Sequence, residues 1–411
     1  MHLDARLVRR VLGCLEASPL IEFTRDLARI PSVFGSERTL AEAAARRMDA
    51  LGFEVQTVDV EKDRPNVLGW VKGSGGGPSL MFNGHTDTVV QSLGWTKPLY
   101  GGVLEDGRIY GHGVSNMKAS DAAMIYAADA IRRAGVRLKG DLLIALVVGE
   151  CQGGVGTRDL MARGVRTDTF LCAEPTDSGI LTLHAASHYL RVAVTGRTGH
   201  PGAHDRGLSA VQKMLELTTR LGPMHEAIRP GGWMTFRPNP ACGGLPRYHL
   251  ATIRGALTKD FLESWSSTPD YCTAVFNVRA TPDQGVEGTK ADLERVLAGM
   301  QAAEGGWTYE VAVVRSMPAF EAPPEGVALR ALVSACDQVT GAAPPVGALE
   351  PYMFIASDAG TMQAAGMRDG VLMGPGSFTS ATADEYVEVE TLIRAAKIYA
   401  VMALEVCGVA A

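Results

Sequence analysis

No stretch of this 411-residue chain approaches the roughly 18 consecutive apolar residues that a membrane-spanning helix needs. The N-terminus, MHLDARLVRR, leads into mixed, charged sequence rather than the apolar centre of a signal peptide, so the expected location is cytoplasmic, with no membrane partner. Positive charge is not in excess either. Lys and Arg number 39 against 45 Asp and Glu, a formal net charge of −6, which leaves no basic stripe for nucleic acid. The seven cysteines, at 14, 151, 172, 242, 272, 336 and 407, are scattered, odd in number and without a C-x-x-C pair. That favours reduced thiols over a disulfide frame or a structural zinc site. Internal repeats and low-complexity tracts are absent as well. What remains, at 46% hydrophobic and 20% charged residues, is a globular chain long enough for two domains, each with its own core.

Along the chain, NVLGWVKG, SLMFNGHTD, DLLIALVVGE and DTFLCAEP read as strands, and NMKASDAAMIYAADAIRRAG as an Ala-rich helix stopped by Gly135. Alternating strands and helices predict an α/β domain with a largely parallel sheet. From about residue 186 the character changes. HYLRVAVTG and DYCTAVFNVRA alternate as half-buried strands, LSAVQKMLELTTRLG and KADLERVLAGMQAAEGG are amphipathic helices, and TYEVAVVR is a further strand. The order strand, helix, strand, strand, helix, strand predicts an α+β insert with helices on one face of an antiparallel sheet. After MPAFEAPPEG the first pattern returns with VALRALVSACDQVTG and DGVLMGPG. The expected division is 1–185 and 316–411 for a catalytic domain and 186–315 for the insert. The loop RPGGWMTFRPNPACGGLPRY is long for a compact domain, and such loops are more often functional than accidental.

Polar residues gather at strand ends. His85 and Asp87 follow SLMFNG, Glu150 closes LLIALVVGE and Glu174 closes TFLCAE. Binding crevices of open α/β sheets lie at the carboxyl ends of strands, so these residues converge on one edge. Each alone has a plainer reading, and Asn116 alone would be the N-cap of the helix that follows it. Together they suit a hydrolytic metal site. His85 and Glu174 are good ligands for zinc or manganese, Asp87 could hold the imidazole tautomer, and Glu150 could pass a proton from activated water to a leaving nitrogen.

The ordered matches LARIPSV, NGHTDTV, GRIYGHGVSNMKAS, GECQGGVGT, AEPTD, TGRTGHPGAHDRGLSAV, FNVRATPDQG, ASDAG and GPGSFTSATADEYVE cover nearly the whole chain. Through them it resembles the metallopeptidase family of aminoacylases, glutamate carboxypeptidases, acetylornithine deacetylase and succinyl-diaminopimelate desuccinylase. The resemblance implies a zinc-peptidase-like catalytic domain interrupted by a lid that also dimerises, giving a homodimer or higher homo-oligomer. It also implies two metals sharing a bridging aspartate. Here His85 and Glu174 match the ligands of the first metal, and Glu150 matches the catalytic glutamate. Asn116 stands at the bridging aspartate and Cys151 at a second-metal glutamate, while Ala381 or Thr382 takes the place of the second metal's histidine. His200 matches a lid histidine that stabilises developing negative charge at the partner's site, and Arg279 a lid arginine suited to a substrate carboxylate. His112 stands where relatives carry arginine and receives no role.

Both ligands exclusive to the second metal are gone while both exclusive to the first remain. The expectation is one labile divalent ion per subunit, manganese or zinc, on His85, Asn116 and Glu174, with Cys151 as a less favoured thiolate donor. Three functions compete: an aminohydrolase acting on an electron-poor aromatic amine bearing a carboxylate, a two-metal aminoacylase or peptidase, and an inactive binding protein. Retention of a general base in the cleft argues against the last.

Overall fold

The computed structural model describes residues 3–203, 206–229, 231–242 and 246–410. Its contacts divide the chain into two compact units. One runs to Leu183 and resumes at Phe320–Tyr352 and from Ser357 onward; the other holds His184–Ala319 and the short return Met353–Ala356. That return of the chain to the second unit has no counterpart in the sequence reading, because four residues between a turn and a helix carry no periodic signal.

The first unit is built on an eight-stranded sheet in the spatial order Glu54–Glu61, Arg64–Val71, Leu142–Val147, Leu80–His85, Thr169–Cys172, Gly370–Leu372, Ile180–Leu181, Val346–Gly347. The four strands from Leu142–Val147 to Gly370–Leu372 run parallel, and the two N-terminal strands join antiparallel at one edge. Every residue of Leu80–His85 and Leu142–Val147 is buried. Unbroken apolar runs of this kind belong to parallel strands covered on both faces. Helix Ala119–Arg133 is buried from Ala119 through Ile131 and packs against Val389–Cys407, which in turn packs against Val327–Thr340. A helix that is small and apolar all round is an interior helix.

The second unit is a four-stranded antiparallel sheet ordered Arg247–Ala256, Tyr271–Ala280, Ala186–Thr195, Thr308–Met317. Helices Ala210–Leu221 and Val286–Ala303 cover one face, where Leu190, Val192, Met214, Phe276 and Leu297 form a separate core. The element order is the one the periodicities predict. In the long loop, Trp233 and Met234 are buried in this core. The Trp233 indole N–H donates to the Leu221 carbonyl at 3.1 Å, and the Thr235 N–H to the Asp292 carboxylate at 2.6 Å. This part of the loop is therefore a packed strap; residues 230 and 243–245 of the same loop lie outside the described residues.

One buried amide fixes the chain around Glu150. Asn66 accepts from the Val148 N–H at 3.0 Å and donates to the Gly156 carbonyl at 2.9 Å, bracketing the turn that carries Glu150. A Cβ on Gly156 would fall 2.6 Å from the Asn66 carbonyl oxygen, so only glycine fits. Asn66→Ala orphans two backbone groups in a fully buried position. It should lower stability to urea by on the order of 3 kcal/mol. A loss within 0.5 kcal/mol of zero would show that the clamp is dispensable.

Candidate metal centre

The parallel strands end at one edge, where His85 closes Leu80–His85, Glu150 follows Leu142–Val147 and Glu174 follows Thr169–Cys172. All three are buried, and their ligand atoms lie within 4.8 Å of one another. His85 Nδ1 is 2.8 Å from the Asp87 main-chain carbonyl. A carbonyl only accepts, so Nδ1 carries the hydrogen and Nε2 faces the site. Nε2 lies 2.9 Å from Asn116 Oδ1 and 3.7 Å from Glu174 Oε1.

With the amide oxygen turned to the imidazole, these three atoms are all lone-pair donors directed at one point, an arrangement that suits a cation. In the absence of an ion a proton takes that place. Burial disfavours imidazolium, but Glu174, Asp87, Glu150 and Asp121 outweigh it and lift His85 to about 10. The donor set of one imidazole, one amide oxygen and one carboxylate fits a single divalent ion.

The surrounding charge is mostly negative and mostly buried. Burial, then the neighbouring Glu174 carboxylate, pushes Glu150 well above the usual carboxylate range. Burial likewise raises Glu174 and takes Asp358 to about 7. Asp121, on helix Ala119–Arg133, is fully buried with neither carboxylate oxygen hydrogen-bonded. It sits against the strand at Gly84, where a Cβ would fall 2.3 Å from Asp121 Oδ1. Asp121 and Asp358 do not stand out in the sequence as site residues. Asp121 is one of two acids, with Asp129, in an Ala-rich helix, and only its tertiary burial sets it apart.

The geometry bears on three readings: the plainer one of Asn116 falls, the role of Asp87 needs correction, and Cys151 stays the less favoured donor. Asn116 does not cap the helix. Its backbone is extended (φ −130°, ψ 94°), the helix begins at Ala119, and the amide is turned to His85 instead. Asp87 does not orient His85 through its carboxylate, which lies 3.6 Å from Nδ1. Its main-chain carbonyl does that, while its two oxygens accept from the Glu150 N–H at 3.0 Å and the Cys151 N–H at 2.9 Å. Asp87 thereby pins the turn that presents Glu150. Cys151 lies within 4.8 Å of the His85 and Asp87 ligand atoms, but burial and the Asp87 and Glu150 charges push its thiol well up, which disfavours a thiolate there.

Glu385, also missed, is the residue that holds Asn116 in place. One of its oxygens accepts from the Ser115 N–H at 2.8 Å and the Asn116 N–H at 3.1 Å, and the other from the Gly113 N–H at 2.9 Å. Gly113 has φ +76°, and a Cβ there would strike Thr88 at 2.1 Å, so the turn needs glycine. The motif ATADEY contains this signal, since an acid four residues past the missing histidine is well placed to cap a nearby loop.

His200 and Arg279 belong to the second unit. His200 is exposed and its Nδ1 accepts from the Gly202 N–H at 3.1 Å. Arg279 is half-buried on Tyr271–Ala280, directly opposite Ser187 and Arg247. The structure thus brings His85, Asp87, Asn116, Glu150 and Glu174 together in the first unit and places the other two apart from them in sequence and unit.

With this geometry in view, comparison with known proteins is direct. Residues 81–405 match the model of Peptidase family M20/M25/M40, and the chain belongs to that family. It is therefore a hydrolase of carbon–nitrogen bonds. It is 26% identical over 379 residues to the N-formyl-4-amino-5-aminomethyl-2-methylpyrimidine deformylase of Bacillus subtilis, covering 85% of each chain. Its fold matches the di-peptidase Dug1p of Saccharomyces cerevisiae with TM-score 0.78 at 14% identity, over 97% of this chain and 98% of that one. It also matches the YxeP protein of Bacillus subtilis, described as a dinuclear metal binding peptidase, with TM-score 0.67 at 17% identity over 95% and 98%. No helix among the described residues is long and apolar enough to cross a membrane.

Beside the site, His112 is buried between the edges of Trp95 and Tyr100, at 6.1 and 5.8 Å between ring centroids. Burial, helped by the Lys118 ammonium, lowers its pKa to about 4. The unfolded chain then binds a proton between pH 6.5 and 4 that the folded chain refuses, so His112 should erode stability as pH falls through that window. Imidazole nitrogen resonances of His112 should stay neutral above pH 5; a midpoint near 6.5 would contradict the buried placement.

Proposed function

We propose that this protein is a single-metal aminohydrolase whose substrate is an electron-poor aromatic amine carrying a carboxylate. The observation that carries the reading is the 2.9 Å approach of His85 Nε2 to Asn116 Oδ1, which supports the amide as a terminal ligand where an aspartate would bridge. With Cys151 raised and Ala381 or Thr382 at the histidine position, the residues support one ion rather than two.

A divalent ion, manganese or zinc, held by His85, Asn116 and Glu174 would polarise water and the group under attack. Glu150 does the proton work. Buried, raised in pKa and within 4.8 Å of both His85 and Glu174 ligand atoms, it takes a proton from water as the oxygen bonds to the ring carbon. When the carbon–nitrogen bond breaks, Glu150 returns that proton to nitrogen and ammonia leaves. Asp87 keeps Glu150 in register through the turn it binds.

The retained ligand set resembles that of 5-nitroanthranilate aminohydrolase. In such a substrate the nitro group para to the amine stabilises the negative adduct, so that one metal suffices. By resemblance, Arg279 meets the ring carboxylate and His200 the developing charge across a homodimer formed by the second unit. A second reading, hydrolysis of an N-acyl substrate, is favoured by the likeness to the deformylase.

Ammonium release separates the two. With added manganese, 5-nitroanthranilate should yield ammonium and 5-nitrosalicylate, and Glu150→Ala should slow this by about 10²–10⁴-fold. Release of a carboxylate and a free amino acid from an N-acyl amino acid, with no ammonium from the nitroanthranilate, would establish the second reading. Metal analysis should give one ion per chain, and two would refute the single-metal site.

Asn116→Asp should tighten that ion without admitting a second, since Cys151 and the missing histidine are unchanged. Unaltered affinity on calorimetric titration with manganese would remove Asn116 from the ligand set.

A further inference from the structure

The segment Gly374–Phe378 threads between the two chain stretches that carry Glu174 and Asn116. A Cβ on Gly374 would fall 2.4 Å from the Ala173 and Glu174 carbonyls, and one on Gly376 would fall 2.1 Å from the Ser115 carbonyl. Ser377 completes the weld: its N–H donates to Ser115 Oγ at 2.8 Å, and that hydroxyl donates back to the Ser377 carbonyl at 3.0 Å. Asp177 and Ser178 donate to the carbonyls of Gly376 and Gly374 at 2.8 and 3.0 Å from the Glu174 side. The next residue out of this rigid seam is Phe378.

Phe378 is a large apolar side chain left 48% exposed. Tyr352 stacks on it with ring centroids 4.7 Å apart and planes inclined by 30°. Tyr352 is itself half-buried. A ring backed on one side and open to solvent, one residue beyond a seam that bonds to the stretches carrying Glu174 and Asn116, is a flat surface tied by the chain to both candidate ligands. Its ring is backed by Tyr352, so a second ring that stacks on it meets a side chain already held on one face.

We propose that Phe378, backed by Tyr352, is the platform on which the substrate ring stacks, and that it makes this site select aromatic over saturated substrates. The inference rests on the reading of the substrate as an aromatic acid and adds the residue that selects for its ring. Offset stacking between rings is worth about two- to ten-fold in affinity beyond burial.

Benzoate and cyclohexanecarboxylate form a matched pair of equal charge and similar size, and the saturated acid is the more apolar. Simple burial would favour cyclohexanecarboxylate; a stacking platform favours benzoate. Calorimetric titration of the full-length, manganese-loaded protein should show benzoate binding about two- to ten-fold tighter. Phe378→Leu, an exposed and apolar replacement, should weaken benzoate alone and bring the pair level, and Phe378→Trp should keep the preference. Equal affinities in the unmodified protein, or equal weakening of both acids by Phe378→Leu, would overturn the platform. A benzoate preference lost in Phe378→Leu, in a protein that releases no ammonium from nitroanthranilate, would support the platform while refuting the proposed reaction.

Discussion

The structure around the site answers to one electrostatic constraint: acids packed out of water around a single imidazole. Asp87, Asp121, Glu150, Glu174 and Asp358 are all buried, and each bears on His85 or on one another. An isolated buried carboxylate neutralises itself or finds a cation. Only some of these find one in the protein. Asp87 spends its charge on two backbone N–H groups, which compensate it locally. Asp121 has no hydrogen-bond partner at all, and Glu150 and Glu174 face the same point as His85. This edge of the sheet calls for positive charge, which the imidazolium supplies and for which a divalent ion would compete.

Asn116 matters through that balance. An aspartate there would add another buried anion to a region already short of compensation. The amide offers the same kind of oxygen with no charge, so a donor set of His85, Asn116 and Glu174 would carry one formal negative charge, that of Glu174. Glu385 shows how the fold affords the neutral ligand its position: three backbone N–H groups, at 2.8 to 3.1 Å, hold the turn from Gly113 to Asn116 against one carboxylate. Burial raises Glu385 to about 7, against the pull of those same N–H groups and Lys118. The geometry of the amide is thus set from outside the ligand set.

Much of this edge is legible in the sequence, because strand periodicity places the carboxyl ends and polar residues there have few other reasons to follow buried apolar runs. His85, Glu150 and Glu174 were accessible in that way. The sequence also orders the second unit correctly, since alternation at period two and apolar spacing near 3.6 are local signals. What stays hidden is which atom of a residue does the work. Nothing in NGHTDT distinguishes the carbonyl of Asp87 from its carboxylate, and nothing in VSNMKAS says that the backbone is extended at Asn116 before the helix begins. Those outcomes depend on partners far along the chain, Glu150 and Cys151 for one and Glu385 for the other. Asp121, Asp358 and Glu385 were passed over because an acid in a helix or loop defaults to a solvated surface residue, and only tertiary burial reverses that.

The same long-range logic explains why glycines recur where the site is assembled. Gly84, Gly113, Gly374 and Gly376 each lack room for a Cβ, against Asp121, Thr88, the Ala173–Glu174 carbonyls and the Ser115 carbonyl respectively. Gly84 and Gly113 make room for a neighbouring side chain, whereas Gly374 and Gly376 let two segments meet backbone to backbone and draw the Glu174 and Asn116 stretches around one intervening stretch of chain. A site tightened in this way has little freedom to move the Glu174 and Asn116 stretches apart. It can vary what lies just beyond the seam, at Phe378, without disturbing the seam itself. Substrate choice and metal geometry are then separable in this fold: backbone packing fixes the one, and a single exposed side chain is free to set the other.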